Sequence, residues 1–88
     1  MVQAVVFDYE KTAKAATAAL RGEFADSVIH TEKGFEGRVH MKIISPAFDR
    51  LTERKKQAKV WDVLKARLGP DDVVAISMVV VYGMDELP

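Results

Sequence analysis

The reactive side chains of this 88-residue sequence make a short inventory: no cysteine, two histidines (His30 and His40), and serines at positions 27, 45 and 77. Without cysteine there is no disulfide, no thiolate nucleophile, no cysteine-based zinc site and no iron–sulfur ligation by the chain's own thiolates. Ser27, Ser45 and Ser77 lie in strand-like surroundings and lack the histidine and acid that activate a hydroxyl. His30 and His40 fall on the two arms of a predicted hairpin, where a pair of imidazoles offers two metal-ligating nitrogens or a proton shuttle. No third ligand accompanies them, so both read as strand histidines, with His40 the more interesting. Gly34 and Gly37 form Gly-x-x-Gly, read as a turn because no strand-to-helix phosphate cradle surrounds it. Asp71-Asp72 and Asp85-Glu86 lack the ligand count of a calcium loop and read as solvated turn residues.

The remaining chemistry is electrostatic. Arg50, Arg54, Lys55, Lys56, Lys59, Lys65 and Arg67 share one predicted helix with only Glu53 and Asp62 to oppose them, although the whole chain has zero formal net charge. A basic helix on an otherwise acidic molecule suits an acidic or phosphate-bearing partner, with Arg54, Lys55, Lys56 and Lys59 as the contact residues and an affinity that falls as salt rises. Trp61 sits on the apolar stripe of the same helix and reads as core.

The elements that would position these residues follow from periodicity. Val2 to Asp8 is a β-branched run that reads as a strand. Tyr9, Ala13, Ala16, Leu20 and Phe24 then recur at helical spacing, with Asp8 as the cap. Ser27 to Thr31 and Arg38 to Ser45 make the hairpin, turned at Gly34 and Gly37. A second helix runs from Pro46 to Leu68 on Phe48, Leu51, Ala58, Trp61, Leu64 and Leu68, and Gly69-Pro70 stops it. Val73 to Tyr82, almost continuously apolar, reads as an interior strand covered on both faces.

The predicted order is β-α-β-β-α-β in one α+β domain over residues 1–88, a two-layer sandwich with two helices on one face of a mixed sheet. Two helices cover one sheet face only. The other, with Val74, Ile76, Met78, Val80 and His40, is expected to meet a partner or a second copy of the chain, which makes homodimerisation the leading mechanical expectation. At 49% hydrophobic and 30% charged residues the chain suits a folded globule. Its apolar runs are too short to cross a bilayer and no export signal is evident, so no membrane role and a cytoplasmic location are expected.

From Ser45 onward the sequence resembles the BolA-like family, whose fold is similar to type II KH domains. The resemblance rests on Ser45-Pro46-Ala47-Phe48-Asp49, Leu51-Thr52, Val60-Trp61 with Leu64 and Leu68, and Ala75-Ile76-Ser77 in one ungapped register. It implies a non-enzymatic regulatory protein that partners monothiol glutaredoxins in iron–sulfur regulation, with links to stress response and transcription. The sequence departs from that pattern at Lys56-Gln57, where members carry Arg-His, and at Val74, where they carry a histidine that ligates iron. Glu32 to Gly37 also lacks the usual hairpin-loop ligand, so no metal or cofactor ligand is carried over. A nucleic-acid role would fall on Lys56 and Lys59. The competing architecture is a ferredoxin-like dimer, with the first strand in the middle of the sheet and a small molecule bound on the open face.

Overall fold

The computed structural model describes residues 6–87, in the order α1 (Tyr9–Glu23), β1 (Val28–Lys33), β2 (Val39–Ile44), α2 (Glu53–Arg67), α3 (Pro70–Ala75) and β3 (Ile76–Tyr82). The expected first strand falls mostly outside the described residues, since it begins at Val2. Its described part, Val6 to Asp8, joins no strand, and the Phe7 N–H donates to the Glu36 carbonyl at 2.8 Å.

Helix α1 forms as its sequence dictates. Asp8 caps it by accepting from the Lys11 N–H, the alanines favour helix, and Ala13, Ala16 and Leu20 turn inward with Thr12 and Ala19. The loop between β1 and β2 closes through positive φ at Glu36 (60°) and Gly37 (79°). A Cβ on Gly37 would lie 2.1 Å from the Phe7 carbonyl oxygen, so only glycine lets the N-terminal segment cross here.

The second helix starts later than its sequence suggests. Pro46–Phe48 is a separate 3-10 turn capped by Ser45, and Arg50 at φ 62° breaks the chain before Thr52 caps α2. The break is held from a distance, because the Asp49 carboxylate accepts from the Met84 and Asp85 N–H groups while the Arg50 N–H donates to Asp85. Gly69-Pro70 ends α2 as expected, but proline at a first helical position also starts α3, a third helix that takes Val73, Val74 and Ala75 out of the predicted strand. The Thr12 hydroxyl donates to Asp72 at 2.7 Å and ties α3 to α1.

The sheet order is β1-β2-β3, with β1 and β2 antiparallel and β2 and β3 parallel. Direct pairing of β2 with β3 excludes the ferredoxin-like order, which needs another strand between them. It also corrects the reading of β3 as an interior strand: among the described residues β3 is an edge, and Ser77, Met78 and Tyr82 are exposed. A register irregularity at Val39/His40 sets Ile76 opposite Val39 and Met78 opposite His40. Ile76, Val79 and Val81 therefore enter the core beneath the sheet with Leu20, Phe24, Val39, Met41, Ile43, Phe48, Val60 and Leu64.

Candidate binding surface on helix α2 and strand β3

Successive α-helical residues are turned by about 100°, so the position of each α2 side chain follows from what the helix buries. Its inward line is Lys56, Val60 and Leu64, at spacings of four. Ala58, expected in the core, is exposed, and Lys56, expected on a phosphate-contacting face, is 3% exposed. The four cations proposed as one patch therefore divide three ways. Lys55 and Lys59 share the outer flank, Arg54 lies on the flank toward β3, and Lys56 points into the protein.

Lys56 is buried because acids receive it. Its ammonium donates to Glu86 at 2.7 Å and pairs with Glu53 at 3.1 Å, while the Gly83 N–H donates to the same Glu86 oxygen at 2.9 Å. The Glu86 hydrogen bond is the main reason the Lys56 ammonium titrates above its ordinary value, and the Lys56 hydrogen bond is the main reason the Glu86 carboxyl titrates below its own. The lowered Glu86 value stabilises the fold above the ordinary carboxylate range, and this is lost as pH falls through the folded-state value. The raised Lys56 value stabilises below the ordinary ammonium range and is lost as pH rises through its folded-state value. Denaturant titrations of wild type and Lys56→Met should therefore differ most at neutral pH and converge once pH falls well below the 4.5 of an unperturbed glutamate. A difference that stayed constant to pH 2 would remove Glu86 as the partner.

The flank of α2 toward β3 carries a second arrangement. Trp61, half-buried rather than wholly core, donates its indole N–H to the Gln57 amide oxygen at 3.1 Å. Gln57 in turn donates to the Val79 carbonyl of β3 at 2.8 Å. The sequence marks Lys65 only as one of the helix cations, Leu68 as an apolar-stripe residue and Gln57 as a departure from the family pattern, and assigns none of them to a shared flank. The spacing of Arg54, Gln57, Trp61, Lys65 and Leu68 as one helical stripe is the signal that marks them.

The uncovered sheet face holds only part of the expected set. His40, Met78 and Val80 line it, together with His30, Glu32 and Lys42, around a shallow cavity of about 330 Å³. Ile76 is instead in the core at 4% exposure, because the β2–β3 irregularity turns it inward, and Val74 is on α3 at 63% exposure. The face is mixed rather than apolar. Gly34 leaves room for the His40 ring, whose Nε2 would lie 2.6 Å from a Cβ at that position.

The residues do not fit the iron–sulfur ligation that the BolA-like resemblance implies. Valine at position 74 has no ligating atom, and His30 and His40 lie on the open sheet face. Among the described residues no three histidine, cysteine, aspartate or glutamate side chains gather closely enough to hold a metal. No helix of the described residues is long and apolar enough to cross a membrane.

No family model and no curated protein sequence matches the chain. A solved structure does: BolA1 from Arabidopsis thaliana superposes with a TM-score of 0.67 at 19% identity, over 88% of this chain and 96% of that one. With that agreement over nearly the whole of both chains, and with β2 paired directly to β3, the protein has a BolA-like fold.

Proposed function

We propose that the protein is a divergent BolA-like binding and regulatory protein that acts by contact rather than by catalysis, with a monothiol glutaredoxin as the favoured partner. The supporting observation is the state of the α2 cations: Arg54, Lys55 and Lys59 are exposed, and no ion pair among the described residues engages them. Lys56 is withdrawn from this role by Glu86 and Glu53. Zero net charge disfavours non-specific nucleic-acid binding as the main activity, which leaves an acidic protein surface as the better complement. Iron–sulfur ligation by this chain is not part of the proposal.

Titration with a monothiol glutaredoxin and with a DNA duplex, each at 50 and 200 mM salt, separates the partners. Glutaredoxin is expected to bind, more weakly at high salt, and Lys55→Glu with Lys59→Glu is expected to cost about tenfold, or about 1.4 kcal/mol. Indifference of glutaredoxin to both salt and charge reversal would remove the outer flank as the contact. DNA affinity falling steeply with salt would favour nucleic acid instead.

The cavity over His30, His40, Lys42, Met78 and Val80 supports a second reading, a small molecule held between the open faces of two copies. Sedimentation tests it: a monomer throughout the micromolar range excludes that dimer.

A further inference from the structure

The edge of the sheet at β1 is regular and exposed. The Gly34 N–H donates to the Arg38 carbonyl at 2.8 Å, and Gly34 continues an unbroken register that sets Val28 opposite Ile44, His30 opposite Lys42 and Glu32 opposite His40. Antiparallel pairing alternates, so these even-numbered residues turn their backbone groups to β2, and Ile29, Thr31 and Lys33 aim theirs outward. No turn or side-chain hydrogen bond among the described residues reaches those outward backbone groups. The Tyr9 hydroxyl donates to the Thr31 hydroxyl at 2.8 Å, which fixes the faces: Thr31 turns toward α1, while His30 and Glu32 stand on the open face.

Helix α1 flanks this edge. Ala13, Lys14, Thr17, Ala18 and Arg21 line a concavity of about 500 Å³ together with Thr31, so the strand edge and the helix present one surface. Small side chains at 13, 17 and 18 keep the helix low there. Glu10 lies on the same line of α1, one turn before Lys14; it and Arg21 are exposed, and no ion pair among the described residues engages either.

We propose that the chain pairs with a second copy of itself along β1, antiparallel about a two-fold axis at Thr31, so that the two sheets become one. Thr31 meets its own counterpart and Ile29 meets Lys33, and the outward backbone groups of all three residues find partners. Charge selects this register. On the open face His30 of each copy stands beside Glu32 of the other, an imidazole N–H against a carboxylate at two symmetric places. Moving the axis by one residue in either direction replaces these pairs with His30 against His30 or Glu32 against Glu32. Beneath the sheet the same axis sets the two α1 helices antiparallel, with Glu10 of one beside Arg21 of the other and the small residues between them. Charge also selects the partner. An acidic strand from another protein would meet Glu10 and Glu32, and a basic one would meet Lys14, Arg21 and Lys33, whereas a second copy answers both signs in order. This surface shares no residue with the α2 flank proposed to meet glutaredoxin, so the two can fail separately.

Sedimentation of the full-length protein from about 10 μM to about 1 mM, with hydrogen exchange at matched concentrations, tests the pairing. The expected result is a monomer–dimer equilibrium in which the amides of Ile29, Thr31 and Lys33 gain protection as the dimer forms, while those of His30 and Glu32, already turned to β2, change least. Lys33→Pro removes an N–H that β2 does not use, and Arg21→Glu sets a glutamate against Glu10; each should raise the dimer dissociation constant by about tenfold or more. Adding Glu10→Arg to Arg21→Glu reverses the pair and should restore the constant to within about threefold, which a merely loosened α1 would not do. Lys55→Glu with Lys59→Glu should leave it within about twofold. A monomer at about 1 mM would overturn the proposal, as would a dimer indifferent to both Lys33→Pro and Arg21→Glu. A dimer whose three amides stay unprotected would also overturn it, in favour of stacked open faces. Protection that does not vary with concentration would do the same and assign the edge to residues 1–5.

Discussion

Phe48→Ala is expected to lower the free energy of unfolding by about 3–5 kcal/mol, a large share of the roughly 5–15 kcal/mol that holds a small domain folded. Phe48 has no exposed surface, and its ring lies 4.9 Å from that of Phe24 at a tilted angle, the arrangement two aromatic quadrupoles prefer. The effect is large because of where the residue sits. Phe48 projects from the single turn of Pro46–Phe48 between β2 and α2, and from there it meets Phe24 just past the end of α1. Removing the ring opens a void between both helices and the sheet, and rigid elements cannot collapse to fill it. Urea unfolding at neutral pH, with fluorescence of the half-buried Trp61 as the probe, measures the loss. A cost below 1 kcal/mol would mean that the turn is not the hinge of the core.

Gly37→Ala should come next, at about 2–4 kcal/mol, through strain rather than a void. The residue holds φ 79°, and a methyl group there would meet the Phe7 carbonyl oxygen. Relief requires the N-terminal segment to move, with loss of the Phe7–Glu36 hydrogen bond and of the Arg38 guanidinium that lies 5.4 Å from the Phe7 ring centre. Gly69→Ala is the matched control, since a Cβ at that position meets nothing within 4 Å and its φ of −69° suits any residue. Thermal unfolding should shift by several degrees for the first substitution and hardly at all for the second. Equal shifts would show that the strain at Gly37 is absorbed locally.

What the sequence discloses, and where it stops, can be traced through individual residues. Helix α1 was legible because everything it needs is local: the Asp8 cap, the alanines and the stripe from Tyr9 to Phe24 lie within one segment. Lys56 was misplaced because the carboxylate that receives it, Glu86, is 30 residues away, and no short-range pattern announces a buried lysine. The sequence places the start of α2 too early for the same reason, as the acid at Asp49 answers to Met84 and Asp85. Pro70 reads in the sequence as a stop signal, although the physics of a fixed φ and a missing N–H permits a start as well, and the chain uses both. That choice decided whether Val74 faced the sheet or the solvent. Ile76 shows a further limit: strict alternation places it with Met78, and one irregularity in the ladder reverses the assignment. For the binding surface, the sequence locates the helix and its charge but not which flank each cation occupies, and it marks Gln57 only as a departure from a family pattern, because its bridge from Trp61 to the Val79 carbonyl depends on a strand 22 residues away.

The parallel pairing of β2 with β3 also governs the order of assembly. Val39 finds Ile76 only after the whole of α2 and α3 has been threaded between them, so the ladder closes a long loop and loses its entropy before gaining a hydrogen bond. The β1–β2 hairpin, by contrast, joins neighbours and can form in about 1–10 μs. Until β3 and the helices arrive, Val39, Met41 and Ile43, which the folded core buries, are expected to face water. Docking of the helices is expected to remove this water and to supply the surface on which β3 settles, which makes the crossover the expected rate-setting step of folding.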